Sequence, residues 1–326
     1  MLAVANYHYI RDDFSAKYPS IFGLTPKEFE QQLIALSKQG EFISQDKLLD
    51  YQDRPFDKDY LLVTFDDGLK EQYSLAKPIL DRLGIPFVFF INTSNYEDRK
   101  VSLVHKIHML RSIMPSLELL QLIIKSFKLE LSEIEQHKAL KHYNYDDAET
   151  AKLKYLLNFK LTHLEQQELI DPIFNENYDE KAVAKSLYFE DEMLEVLFNN
   201  GNLGSHSHNH VPLGKLSLRE LDLELKKTQD FFLDKFSKPA SILSYPYGSF
   251  EASSGISESL EKYNFKLAFT MERAVNNNIQ NAPYLISRYD CNDLPLGKSD
   301  LFKTKAIFEK PLFRKWYKNE SSSTNK

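Results

Sequence analysis

Short apolar runs alternate with segments of helical spacing along most of the chain. Leu2 to Tyr9 reads as a strand, and Tyr60-Leu61-Leu62-Val63-Thr64-Phe65 is so nearly continuous in apolar residues that it suits a strand buried on both faces. Between them, Thr25-Pro26-Lys27-Glu28 supplies an N-cap, a proline at the first helical position and an acidic first turn. That start predicts a helix to about Gln39, with Gly40 placed for a left-handed C-terminus. Lys70 to Leu83 has helical spacing, Gly84 closes it, and Ile85 to Ile91 is another buried strand, which completes a β-α-β unit. The pattern resumes with a helix at Glu190 to Asn199, a strand near Leu203, a helix at Ser217 to Lys235 and strands near Ile242, Leu267 and Leu285. Repeated strand-helix alternation predicts an α/β barrel.

From about 97 to 186 the character changes. Leu, Lys, Glu and Gln recur at helical spacing with few glycines, which predicts a helical insertion. Its amphipathic stretches, such as Ala151 to Phe159 and Leu164 to Phe174, are expected to bury a face against the parent domain rather than to bind a membrane. The organisation read from the chain is one barrel domain over 1–318, interrupted at about 97–186, and a polar, disordered tail at 319–326.

Composition narrows the classes. With 41 Lys and Arg against 47 Asp and Glu the net charge is -6, so no bulk positive field attracts phosphates and nucleic acid is not an expected partner. The single Cys291 excludes an internal disulfide. No apolar run reaches the roughly 18 residues of a membrane span. Met1 to His8 lacks the basic start and apolar length of a signal peptide, so the chain as given reads as cytoplasmic, or as envelope-associated if a leader was removed.

Candidate chemistry sits at two strand ends. In Thr64-Phe65-Asp66-Asp67-Gly68 two carboxylates stand where a buried strand gives way to a loop, the edge at which parallel sheets bind ligands. One can ligate a metal while its neighbour faces a water; taken alone, the pair reads equally well as a cap and an Asp-Gly turn. Gly204-Ser205-His206-Ser207-His208-Asn209-His210 then places three of nine histidines within five residues, after another short strand. His206 and His210, four apart, can converge on one ion, and with Asp67 they make a two-His, one-carboxylate set that leaves positions open for water and substrate. His208 falls outside that set, as a bystander or a supporting residue.

Read together, Thr64 to Gly68, His206 to His210 and Ser244-Tyr245-Pro246-Tyr247-Gly248 resemble the first three motifs of the polysaccharide deacetylases, the carbohydrate esterase family 4 or NodB-homology group. The resemblance covers roughly Met1 to Asn95 and Leu187 to Leu301. It implies a distorted (β/α)7-type barrel and a divalent metal, often Zn2+, held by Asp67, His206 and His210. It implies that Asp66 takes the proton from the metal-activated water and that the Tyr247 backbone N–H holds the oxyanion, with Gly248 allowing close approach. Tyr245, Pro246, Gly248 and Arg288 are expected at the substrate.

Two positions depart from the family pattern. The third motif usually opens with an Arg that orients the catalytic Asp, and here that residue is Ser244; Arg288 is expected to bring an equivalent guanidinium. The family's last motif carries a histidine that protonates the leaving amine, yet no histidine follows His210. Tyr7-His8 resembles the N-terminal Tyr-His of the circularly permuted poly-N-acetylglucosamine deacetylases, which implies His8 as general acid; His105 and His108, three apart in the insertion, are weaker candidates. The expected reaction is hydrolysis of the acetamide of an N-acetylhexosamine unit in a glycan. The rival expectations are a deacetylase of a small sugar conjugate or glycolipid precursor and a catalytically weak carbohydrate-binding protein.

Overall fold

The computed structural model describes residues 1–15, 23–143, 146–303 and 305–316. The tail expected at 319–326 lies outside them. The chain divides into two compact units, one built on Met1–Asp13, Phe22–Lys100 and Ala184–Lys326, the other on Val101–Val183 with Phe14–Ile21. Among the described residues no helix is long and apolar enough to cross a membrane.

In the first unit β1 (Leu2–Tyr7), β2 (Glu41–Phe42), β3 (Tyr60–Phe65), β4 (Phe87–Ile91), β5 (Leu203–Ser205), β6 (Ile242–Ser244), β7 (Leu267–Phe269) and β8 (Tyr289–Asp290) form one sheet. Its order is β7-β6-β5-β4-β3-β1-β8, with β2 also on β3, and every pairing is parallel. A parallel bridge from Phe269 to Ile286 links β7 to the chain entering β8, so the sheet curls into the expected distorted barrel. The first strand of the chain thus lies between β3 and the last strand.

Side-chain alternation explains what fills the barrel. Every second residue, Leu2 and Val4 on β1, Leu62 on β3, Val88 and Phe90 on β4, Ile242 on β6, Leu267 and Phe269 on β7, with Ile286, belongs to one buried cluster. The opposite face of the sheet buries aromatic rings: Tyr7 packs edge-on to Phe29 at 4.9 Å, and Phe65 meets Phe89 at the same separation. Gly204 faces inward where a Cβ would come within 2.6 Å of the Phe90 ring, so β5 can pass this bulky residue only without a side chain.

Several boundaries differ from expectation. β1 stops at Tyr7, which leaves His8 as the first residue past the strand. The helix read over Lys70 to Leu83 is a π-turn at Gln72–Ala76 followed by an α-helix at Lys77–Leu83. Pro78 accounts for the change, because it has no N–H to continue the α-helical ladder back to residue 74. The strand expected near Leu285 forms its ladder at Tyr289–Asp290, where β1 offers a partner.

The second unit is helical, with helices at Leu103–Ile113, Ser116–Phe127, Glu133–His142, Ala148–Tyr155 and His163–Asn177. Ser132 with Glu135, and Thr162 with Glu165, close capping boxes at two helix starts. Lys106, almost fully buried, lies 2.8 Å from Asp171 and 2.7 Å from Glu180.

Candidate active site

The inward-facing positions turn polar at the C-terminal ends of the strands. Asn6 follows Val4, Thr64 and Asp66 follow Leu62, Asn92 follows Phe90, His206 follows Gly204, Ser244 follows Ile242 and Arg288 follows Ile286. All seven are at most 2 % exposed. One parity rule therefore carries an apolar barrel floor into a buried polar layer.

His206 and His210 both turn toward Asp67. Asp67 Oδ1 lies 3.6 Å from His206 Nε2 and 3.5 Å from His210 Nε2. The three are buried, and their ligand atoms lie within 4.8 Å of one another. Three left-handed residues make this possible: Asp67 has φ +78°, while Ser207 and His210 have φ +69° and +56°. The histidines thus converge through a compact loop rather than a helical turn. In that loop the His210 N–H donates to Ser207 Oγ at 3.1 Å, and Glu224 accepts the Asn209 N–H at 2.5 Å.

These separations are long for hydrogen bonds but match neighbouring donors around one tetrahedral ion, which ligand distances of about 2.0–2.2 Å put roughly 3.3–3.6 Å apart. His206 Nδ1 is 2.8 Å from the Ser244 carbonyl, so that nitrogen carries the proton and Nε2 presents its lone pair to Asp67. Burial pushes the His206 imidazole below its ordinary pKa against the pull of Asp66 and Asp67, which favours the neutral form a metal needs. The donor set fits a divalent metal. His208 turns away and lies 2.7 Å from Thr93 Oγ1 through Nδ1, with its imidazole pushed down to about 4 by burial and then by Lys227.

Asp66 points to the other side. Arg288, with no exposed surface, grips it in two bonds, Nη1 to Oδ1 at 2.9 Å and Nη2 to Oδ2 at 2.8 Å. Asn6 Nδ2 adds a third donor to Oδ2 at 3.0 Å. Burial raises the Asp66 carboxyl, but Arg288, then His206 and His8, outweigh it and hold the group well below the usual carboxylate range. Arg288 is itself held by the Thr270 carbonyl at 3.0 Å, Asn6 Oδ1 at 2.8 Å and Ser244 Oγ at 2.8 Å. The expected guanidinium is present beside Asp66, and Arg288 is enclosed with no exposed surface.

His8 stands at the open side, its side chain 38 % exposed and Nε2 3.8 Å from Asp66 Oδ2. Tyr247 has φ +64°, its ring lies edge-on 5.1 Å from that of His210, and among the described residues its N–H enters no backbone hydrogen bond. Gly248 could not be replaced by a larger residue without a Cβ 2.5 Å from Met271 Cγ. Pro246 is buried in the same turn. The Tyr245 side chain is buried, and its hydroxyl donates to the Tyr284 carbonyl at 2.9 Å. His105 and His108 lie in the helical unit, rings 6.3 Å apart.

Sequence reasoning missed Asn6 and Thr64, and it took Ser244 only as a lost arginine. Ser244 in fact joins the two halves of the site, its carbonyl on His206 and its hydroxyl on Arg288. Strand parity is the signal that could have found Asn6 and Ser244, since each continues an inward apolar series.

The chain matches the family profile of the polysaccharide deacetylases over residues 53–155 and 169–271. It belongs to the polysaccharide deacetylase family. Asp66, Asp67, His206, His210 and Tyr247 lie inside the matched segments, whereas His8 and Arg288 lie outside them. As a member of this family the protein is a carbohydrate deacetylase, a hydrolase. Among curated protein sequences nothing matches it. Solved structures share its fold: IcaB from Ammonifex degensii is 17% identical with a TM-score of 0.53, over 90% of this chain and 94% of that one. The deacetylase PplD of Streptococcus pyogenes, in complex with acetate, is 14% identical with a TM-score of 0.54, over 90% and 92%. A de-N-acetylase from Aggregatibacter actinomycetemcomitans is 15% identical with a TM-score of 0.50, over 88% and 94%.

Proposed function

We propose that this deacetylase removes the acetyl group from an N-acetylhexosamine unit of a glycan and uses a divalent metal, zinc by the character of its ligands, held by Asp67, His206 and His210. The observation that carries the proposal is the convergence of this donor set beside a second carboxylate that no metal requires. A bound ion of this kind supplies Lewis acidity, which acidifies water and polarises the acetamide carbonyl.

The remaining steps belong to the chain's own groups. An ionised carboxylate has about four lone-pair sites. Arg288 and Asn6 occupy three of those on Asp66, one on Oδ1 and two on Oδ2. One site on Oδ1 is left to receive a proton. The Arg288 grip keeps Asp66 charged and oriented, so the base works by placement more than by strength. The Tyr247 N–H can donate to the oxyanion as the carbonyl becomes tetrahedral. His8, reachable from solvent and across from Asp66, donates a proton to the departing amine.

Acetate release from N-acetylglucosamine oligomers, with and without chelator, tests the reading. The parent is expected to release acetate only with metal. Asp66→Asn is expected to keep the metal while turnover falls on the order of a hundred- to ten-thousand-fold. No acetate from any N-acetylated sugar, or near-parent turnover in Asp66→Asn, would contradict it.

A further inference from the structure

Gln72 is fully buried and opens the π-turn at Gln72–Ala76, which leads from Asp66–Gly68 into the following helix. Its Nε2 donates to two carbonyls, that of His8 at 2.9 Å and that of Asp66 at 2.6 Å. These belong to the first residues past β1 and β3, whose ladder runs to the pair Tyr7 and Phe65 and ends with the Asp66 N–H on the Tyr7 carbonyl at 3.1 Å. A parallel ladder continued one rung further would give the Asp66 carbonyl an N–H from the β1 side. The Gln72 amide takes that place. It ties the two strand ends together at the level where His8 Nε2 approaches Asp66 Oδ2 to 3.8 Å.

We propose that Gln72 is a positioning residue that sets the separation between the proton donor His8 and the base Asp66, and that the π-turn aims it there. The proposal rests on the acid and base roles given above. An extra residue in a turn rotates the side chains on either side by on the order of 100° relative to one another, so an uninterrupted α-helix would not direct residue 72 and the helix that follows it as this chain does. The side-chain chemistry is also selective. An amide NH2 carries two donors and can serve both carbonyls, whereas an ionised glutamate would present acceptors to acceptors.

Gln72→Met keeps the volume and removes both donors. It is to be compared with the parent on an N-acetylglucosamine oligomer and on an activated acetyl ester, whose leaving group needs no proton. Expected are parental metal content, amide turnover lower by roughly ten- to a hundredfold with KM little changed, and ester turnover lower by less than about threefold. Equal losses on both substrates, or no loss on either, would overturn the proposal. Gln72→Asn keeps an amide but shortens its reach; the same split is expected at smaller size, and this variant decides the matter if the methionine variant does not fold. If the parent releases no acetate from any N-acetylated sugar, the deacetylase reading is what fails. Crystal structures then decide the positioning role: a His8–Asp66 separation that widens in Gln72→Met upholds it, and one identical to the parent's overturns it.

Discussion

The helix starts of the helical unit and the strand ends of the barrel satisfy their polar groups at different ranges. In the helical unit Ser132 and Thr162 each bond a glutamate three residues on, and the bonds close within one turn. In the barrel, Arg288 reaches Asn6 and Asp66 across 282 and 222 residues and Ser244 across 44. A local cap stabilises the helix that carries it and can be lost alone. A long-range clamp fixes strand ends against one another, so its members are coupled and fail together. Backbone conformation divides likewise. Among the described residues Asp67, Ser207, His210 and Tyr247 hold left-handed conformations at the site, whereas in the Val101–Val183 stretch the non-glycine example is Lys128, at a helix C-cap. Strain of about 1–3 kcal/mol per residue persists only where surrounding contacts over-determine it.

The largest effect that would test this contrast is loss of the metal set. His210→Ala should strip the ion and lower acetate release by roughly a thousandfold or more, the several kcal/mol that a Lewis acid supplies. Full metal content by elemental analysis in that variant would break the assignment. Next is Arg288→Met, which leaves a buried carboxylate without its partner and should cost about 3–5 kcal/mol in urea unfolding. The folded Asp66 carboxyl is held low, so its contribution to stability is present above the unfolded pKa of about 4 and is lost as pH falls. Without Arg288, burial raises the group, so the deficit against the parent should widen from pH 4 to pH 7. A pH-independent deficit would mean that the charge pair is not its source.

His8→Ala should retain metal and fold and lower turnover on an acetamide about a hundredfold, with a smaller loss on an activated ester. Equal losses on the two substrates would remove the acid role from His8. The smallest effect belongs to the helical unit. Ser132→Ala should cost about 1 kcal/mol and shift Tm by a few degrees at most, with acetate release at the parental level. A large loss of activity there would erase the contrast between local and long-range satisfaction.

What the sequence discloses follows the same division. Asp66, Asp67, His206 and His210 stand in two short segments at strand ends, so composition and spacing announce them. The Thr25-Pro26-Glu28 helix start is equally local, and it forms the capping box it suggests. Arg288 could be nominated only because Ser244 left a charge without its usual partner. Asn6 and Gln72 gave no local sign, because an asparagine in a strand and a glutamine in a helix are ordinary until the partner strand is known. The π-turn and the shift of β8 to Tyr289–Asp290 depend on Pro78 and on the register with β1 in turn.

The central claim is that Asp67, His206 and His210 form one metal centre. Anomalous diffraction at the zinc edge from crystals of the metal-loaded protein tests it most directly. One peak is expected, about 2.0–2.2 Å from Asp67 Oδ1, His206 Nε2 and His210 Nε2. A fully loaded protein with no peak there, or with its peak at other residues, would contradict it.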